Sequence, residues 1–562
     1  MPLPYELRIG VTGHRSVSDC SGVAAAIDAL LDRIKGTLAA PGTPLACVLV
    51  SPLAAGADRI VARAAMERLG ARLEVVTPFP VDQYRMDFET AADRAEFDAL
   101  LAQAAVVDEL PGTTTGGAPA SISHAARRDA AYHRVGERVV DACEMLIAVW
   151  NGRRAAGTGG TADIIEHALR RERLVIWINT EHPETPPRLV RHIAYADHGD
   201  EALVETTELP TQAKELSLGF HQQSAYFCDC ALDERRVEAT AAEVRQRFTR
   251  AAAKAGVPEG ALTGVVESIV PEFARADCLA LRYQWRHVLV VNGVLRIAAS
   301  AVTVATFQVL FFPEHLWLIA LEIVAMLAVL GLWWGGRHGA WHEKWLHDRF
   351  LAEQLRAAMF TVVAGAHRGA PDDRTLAFYR GPRHWLTHVG DALAAQAQRG
   401  ISPVPLGPLR RLLVDGWMKD QQAFHERNAR RKARQAHSRH RMGFALFGGT
   451  LLMALLHLLG VGHAAEGVPP VADPSAWITF FALVFPVWAG VVHAITAQLE
   501  LERVAERSTR MAATLAGLAD RAERALTPLE LDETAREAAS LMLRETHEWW
   551  VLLSFQDVRL QV

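Results

Sequence analysis

The chain carries no surplus of positive charge. Its 562 residues hold 59 Lys and Arg against 64 Asp and Glu, a net charge of −5. Proteins that neutralise a nucleic-acid backbone need a basic field, so no nucleic acid is expected as a partner. Cysteine is scarce and scattered, at Cys20, Cys47, Cys143, Cys228, Cys230 and Cys278. None forms the paired CxxC sets of a zinc site, and Cys228-Asp-Cys230 reads as two small packed residues. His342-Glu-Lys-Trp-Leu-His347 places its histidines five apart, so they diverge on a helix and do not form a zinc pair. Residues 1–30 lack a basic segment followed by an apolar core, so no secretory signal is expected. The N-terminal part should be cytosolic, where disulfides are rare.

Hydrophobic residues make up 50% of the chain and charged residues 22%, an average over two unlike halves. Beyond residue 287 lie four apolar segments, about 290–312, 316–335, 443–462 and 476–496, each long enough to cross a bilayer. They carry few polar groups: Arg296 near the start of the first, Glu322 in the second, His457 in the third and His493 in the fourth, where Pro486 predicts a kink. Residues 337–442 are rich in Lys and Arg, whereas Pro313-Glu-His315 and residues 463–475 hold neither. The positive-inside rule therefore places both short connections outside and both termini in the cytosol of a multi-pass protein of the bacterial inner membrane. Trp317, Trp333, Trp334 and Trp477 stand at interfacial depths. Long polar helices flank each hairpin, so the order of helix, two spans and helix occurs twice, as an internal duplication would give.

Residues 1–185 alternate apolar strands (Glu6–Val11, Ala46–Val50, Leu73–Thr77, Met145–Trp150 and Leu174–Ile178) with helical stretches. That alternation predicts an α/β, Rossmann-like parallel sheet, and ligands of such sheets bind beyond the carboxyl ends of the strands. The unusual residues cluster at those ends. The first strand ends in Gly10-Val-Thr12-Gly13-His14-Arg15, with glycines that admit a ligand and two side chains suited to a phosphate or ribose. The second ends in Ser51-Pro-Leu-Ala-Ala-Gly56-Ala-Asp58 and opens into a helix, whose first amides form an anion site. The fourth ends in Trp150-Asn151-Gly152, then Gly157-Thr-Gly159-Gly160-Thr161 at the head of a helix carrying Asp163 and Glu166. The expected ligand site is therefore Gly10, Thr12, Gly13, His14, Arg15, Ser51, Gly56, Asp58, Asn151, Gly152, Gly159, Gly160 and Thr161, with no catalytic or metal-binding residue assigned.

Gly10-Val-Thr-Gly-His-Arg15, Ser51-Pro-Leu-Ala-Ala-Gly-Ala-Asp58, Thr77-Pro-Phe-Pro80 and Gly159-Gly-Thr161 together resemble the SLOG superfamily over about residues 5–180. These are Rossmann-like domains related to the DNA-processing protein DprA and to the LOG phosphoribohydrolases. The membrane half is similar, more loosely, to the SLATT effectors, through Trp345, Arg349, Glu353, Glu545 and Trp549. A SLATT domain has one hairpin and this chain has two. The resemblance implies a nucleotide-derived second messenger, cyclic ADP-ribose variants in some SLOG domains, whose binding triggers membrane disruption in anti-phage defence. LOG enzymes hydrolyse nucleotides with a PGGxGTxxE motif. Here the leading proline is missing, and Asp163 and Glu166 flank Ile164, where the glutamate would stand.

Five regions follow: a nucleotide-binding domain over 1–185, a helical coupling region over 186–286, a first transmembrane hairpin with its flanking helix over 287–365, a loop-rich linker over 366–408, and a second hairpin with flanking cytosolic helices over 409–562. The expected partners are the messenger and the lipid bilayer. Four spans do not readily enclose a pore, so a homo-oligomer is also expected. No cofactor beyond the nucleotide-derived ligand is called for. A membrane-anchored nucleotide hydrolase of the LOG type is the alternative.

Overall fold

A computed structural model describes residues 3–40, 42–111, 124–155, 159–195, 200–229, 234–258, 260–315, 317–365, 384–462 and 469–554, with backbone only for 124–126, 384 and 546–554. The chain divides into two compact units, residues 1–231 with 372–389, and residues 232–371 with 390–562.

The first unit is built on an eight-stranded sheet: β1 (Tyr5–Gly13), β2 (Leu45–Ser51), β3 (Arg72–Thr77), β4 (Val106–Glu109), β5 (Met145–Trp150), β6 (Leu174–Asn179), β7 (Arg188–Tyr195) and β8 (Ala202–Glu208). The spatial order is β4-β3-β2-β1-β5-β6-β7-β8. The first six are parallel; β7 runs antiparallel to β6, and β8 to β7. The helices of this unit are α1 (Cys20–Thr37), α2 (Ala57–Leu69), α3 (Val81–Arg85), α4 (Ala91–Leu101), α5 (His124–Asp141), α6 (Thr161–Arg170), α7 (Ala213–Leu216) and α8 (Leu218–Phe227). Every residue of β5 is buried, as a central strand covered on both faces requires.

The α/β architecture expected from the alternation is present, but the sheet does not stop at residue 185. The segment read as a helical coupling region opens with β7 and β8; β7 buries only Leu189 and Val190 and β8 alternates half-buried with exposed residues, so neither gives an apolar run. The short edge strand β4, Val-Val-Asp-Glu, also lacked a pattern, because its side chains are largely exposed.

The second unit is helical: α9 (Glu234–Ala255), α10 (Val270–Phe311), α11 (Trp317–His338), α12 (Trp341–Ala364), α13 (His384–Gln398, which runs across the division), α14 (Leu406–Leu413), α15 (Lys419–Leu458), α16 (Pro474–Gln498), α17 (Leu501–Arg524) and α18 (Pro528–Ser554). Among the described residues four helical stretches, in α10, α11, α15 and α16, are long and apolar enough to cross a membrane, and they fall on the four segments read from the sequence. Two of these helices are far longer than a bilayer needs, so span and flanking helix form one rod. α13 lies in the stretch read as a loop-rich linker. Its Ala-rich turn, Ala392-Leu-Ala-Ala-Gln-Ala397, favours a helix that the neighbouring Gly and Pro obscured.

The duplication is visible in the elements. A π-helical turn, Val265–Ile269, leads into α10, and a second, Val414–Met418, leads into α15. α10 and α15 have 42 and 40 residues, α11 and α16 have 22 and 25, and α12 and α17 have 24 each. The break after each second span falls on a non-glycine residue in the left-handed region, Ala340 (φ 46°) and Glu500 (φ 41°). Within the unit α10 packs on α11 and α16, and α16 packs on α15. The Trp488 indole donates to the Thr303 hydroxyl at 3.1 Å, tying α16 to α10. α11 and α15 expose large apolar side chains, among them Leu327, Leu330, Phe444, Phe447 and Leu451.

Candidate functional site

Chain order fixes where a crevice opens in the first unit. From β1 the strands proceed through β2 to β3 and β4 on one side, and the chain then returns to β5 on the other side of β1. Helices after β1 and β5 therefore leave on opposite faces, and the carboxyl ends of these two strands bound a topological switch point.

Three expected segments meet there. The His14 amide donates to the Val149 carbonyl at 3.2 Å, and the Asn151 amide donates to His14 Nε2 at 3.1 Å. The second bond makes Nε2 an acceptor, leaving Nδ1 as the ring nitrogen that carries hydrogen. The His14 carbonyl accepts from the amide of Ala57, the first residue of α2, at 3.1 Å. Two glycines permit this approach. A Cβ on Gly13 would stand 2.4 Å from the Ala57 Cβ, and one on Gly56 (φ +82°) would stand 2.3 Å from the Arg15 carbonyl oxygen. Neither α2 nor α6 has a side chain capping its first amides; with the Ala57 amide taken by His14, α2 keeps its next amides, and both helices keep positive dipole ends, for an anion.

The turn between β2 and α2 is held rigidly. Ser51 is fully buried, and its hydroxyl accepts from the Leu53 amide at 3.0 Å. Leu53 is buried at φ +54°, a conformation that costs a branched residue about 1–3 kcal/mol. The buried Arg59 guanidinium donates to the Leu53 carbonyl at 3.1 Å, to the Asp93 carbonyl at 3.0 Å and to Glu96 at 2.8 Å. Asp58 is buried, and one carboxylate oxygen accepts from the Ala54 amide at 3.2 Å. Burial pushes the Asp58 carboxyl up to about 7, although the Ala54 amide, Arg15 and Arg59 oppose the rise.

The remaining expected residues divide by place. Thr12 is half-buried within β1, opposite Ala148. Gly10 lies under α5, where a Cβ would meet Cys143 Sγ at 2.7 Å, so it serves helix–sheet packing and not the crevice. The Asn151 side chain accepts from the Arg153 amide at 3.1 Å, and the Gly152 carbonyl (φ +77° at that residue) accepts from Ala202 at 2.8 Å. Gly159 (φ +86°) donates to Asp163 at 2.9 Å and packs on the α5 backbone at His133; Gly160 caps α6 and Thr161 begins it. Asp163 thus closes the glycine turn on itself. Gly157 and Thr158 lie outside the described residues.

Sequence reading missed the partners of Arg15. Its guanidinium stands 4.9 Å from the centroid of the Tyr132 ring, a cation–π contact. The Tyr132 hydroxyl donates to Asp87, and Arg128 pairs with the same carboxylate. Arg128 also covers the Phe79 ring, whose centroid lies 6.0 Å from that of Tyr132. Burial first, and the Asp87 hydrogen bond next, raise the Tyr132 hydroxyl above its ordinary range. The result is a basic and aromatic wall beside His14, of a kind that meets a phosphate with one side and a planar base with the other. No motif marked Tyr132 or Asp87, since each stands alone in its element. Compared with known proteins, the chain matches no protein-family model and no curated protein.

Proposed function

We propose that the chain is a membrane effector that senses a nucleotide-derived signal in the β1/β5 crevice and responds by permeabilising or depolarising the bilayer, in anti-phage defence. The observation that carries this reading is the meeting of His14 with the Asn151 turn and with the start of α2 at the switch point, beside Arg15, in a chain whose described residues also hold four membrane-length apolar helices. The likeness of the four strand-end motifs to SLOG domains supports the same ligand class, and the apolar outer faces of α11 and α15 suit lipid or neighbouring copies. Both termini face the cytosol of the bacterial inner membrane in this reading, and the effector acts as a homo-oligomer. The test is binding of ADP-ribose, its cyclic forms, cyclic dinucleotides, NAD and AMP to the full chain in nanodiscs, followed by thermal shift and by dye release from liposomes. A stabilising ligand that triggers release and is recovered intact is expected. Ligand binding without release would refute the effector role.

A second reading, a membrane-anchored nucleotide hydrolase, is favoured by one observation: an acid buried at the crevice with its carboxyl near 7 suits general acid–base work. Turnover of AMP or NAD that Asp58→Asn abolishes would establish it in place of the first.

A further inference from the structure

The second unit encloses a cavity of about 720 Å³ between helices of both duplicated copies and α18, within the usual range for a small-molecule site. One face of α10 lines it from Phe273 to Asn292, a rise of roughly 28 Å at 1.5 Å per residue. The cavity therefore runs lengthwise along the flanking helices up to the foot of the first span. Its far end is aromatic: Phe360 stacks on Trp417 at 5.1 Å and 3°, and Phe248 meets Phe360 edge-on at 5.4 Å. Its middle is internally neutralised, with Asp277 and Glu353 paired to Arg349 and Arg356. Burial raises the Glu353 carboxyl, but Arg349 and Arg356 outweigh it and hold the group below its ordinary range.

The end nearest the spans is different. Arg431 and Lys432 line it, and among the described residues neither has a carboxylate within 4.0 Å and Arg431 donates only to the Asn428 amide oxygen, at 3.2 Å. The charges of Arg431 and Arg439 both act on Lys432, and that of Arg296 on α10 acts on Arg439. Lys432 and Arg439 are seven residues apart, hence on one face of α15 and roughly 10 Å along it. Arg439 Nη1 is buried and has no hydrogen-bond partner among the described residues. Lys432 and Arg439 are half-buried and Arg431 and Arg296 exposed, and among the described residues no carboxylate is paired to any of the four. Clustered, partly desolvated like charges are unfavourable unless an anion joins them. Arg439 precedes the third apolar segment and Arg296 lies near the start of the first, close to the depth at which lipid phosphates lie.

We propose that this cation cluster, from the cavity mouth at Arg431 and Lys432 to Arg439 and Arg296, is a second ligand site that binds a phosphate group, independent of the crevice in the α/β unit. The depth favours the phosphodiester of an anionic phospholipid, with its headgroup at Lys432 and Arg439 and its chains along α10. A phosphate-bearing soluble molecule entering through the cavity has the same recognition chemistry.

The test uses the full chain in nanodiscs of phosphatidylcholine, with or without phosphatidylglycerol, released and weighed by native mass spectrometry. Wild type should retain phosphatidylglycerol over phosphatidylcholine, and Lys432→Gln with Arg439→Gln should lower that retention at least tenfold. Lys432→Arg should keep it, as should Arg430→Gln, exposed on the face opposite Lys432 and Arg439, which separates loss of the site from loss of fold. In phosphatidylcholine discs alone, sodium pyrophosphate is titrated by thermal shift. A shift that the double variant abolishes, without selective lipid retention, assigns the site to a soluble phosphate. Equal retention of both lipids together with no pyrophosphate shift, or effects unchanged in the double variant, overturns the proposal.

Discussion

Asp58→Asn isolates the electrostatic state of the crevice. The carboxyl titrates near 7 because it is buried, whereas an unfolded aspartate titrates at about 3.9. Below about pH 4 both states are protonated. Between about 4 and 7 the unfolded chain has lost the proton and the folded chain keeps it, so stability falls as pH rises. Above 7 the folded acid ionises too and the penalty levels off, at roughly 4 kcal/mol. From pH 5 to pH 8 the loss attributable to Asp58 is about 2–3 kcal/mol, on the order of a hundredfold in the opening equilibrium. An asparagine keeps the shape and an acceptor for the Ala54 amide but does not titrate. The assay is thiol labelling by dithiodipyridine of Cys47 and Cys143, which are 5% and 4% exposed in the α/β unit. Cys20, Cys228 and Cys230 are first replaced by serine, and the buried Cys278 of the helical unit serves as internal control. Taking wild type relative to Asp58→Asn at each pH cancels the reagent's own pH dependence and that of Glu144, whose carboxyl burial also pushes up to about 7. The ratio should rise on the order of a hundredfold from pH 5 to pH 8. A ratio that stays flat would mean that Asp58 is already ionised at pH 5, and the argument from burial would fail.

Other substitutions test the remaining parts. Arg15→Ala should weaken binding of a phosphate-bearing nucleotide by about 1.5–3 kcal/mol while leaving the melting temperature within a degree or two; unchanged affinity in calorimetry would remove Arg15 from the site. Gly56→Ala forces a Cβ to 2.3 Å from the Arg15 carbonyl at φ +82°, so the α/β unit should lose at least about 2 kcal/mol, read as faster labelling of Cys47. Trp417→Ala removes a side chain that is 1% exposed and stacked on Phe360. It should cost about 3–5 kcal/mol in the helical unit and expose Cys278 to labelling, with Cys143 unaffected.

Much of this architecture was legible because its elements carry strong periodic signals. β2 and β5 are apolar runs followed by Pro52 and Gly152, β1 ends in a glycine-rich turn, β6 is apolar up to Asn179, and the four spans exceed any helix that a soluble core requires. What stayed hidden shares a physical cause, since burial on one face only, or not at all, leaves little pattern. That applies to β4, β7 and β8. At the crevice, His14, Gly56 and Asn151 were found because strand-end position and residue type coincide. Gly10 was assigned to the ligand on residue type alone, yet it faces Cys143 and Val139, since a glycine that admits a helix looks the same in sequence as one that admits a phosphate. Tyr132 and Asp87 contribute through tertiary contact with Arg15 and Arg128, which no local spacing encodes.

The matched elements of the helical unit, each copy with two spans, carry a topological consequence. A segment that crosses a bilayer twice begins and ends on one side, so both copies enter from the same face. They are parallel repeats, related by an axis along the membrane normal and not within the membrane plane. One chain is therefore equivalent to two single-hairpin protomers joined in tandem. In the homo-oligomer proposed above, a ring of such chains would place twice as many hairpins as subunits around its axis, in strict alternation between two kinds. A substitution in α10 would then alter every second position of that ring, whereas the matching change in α15 would alter the others.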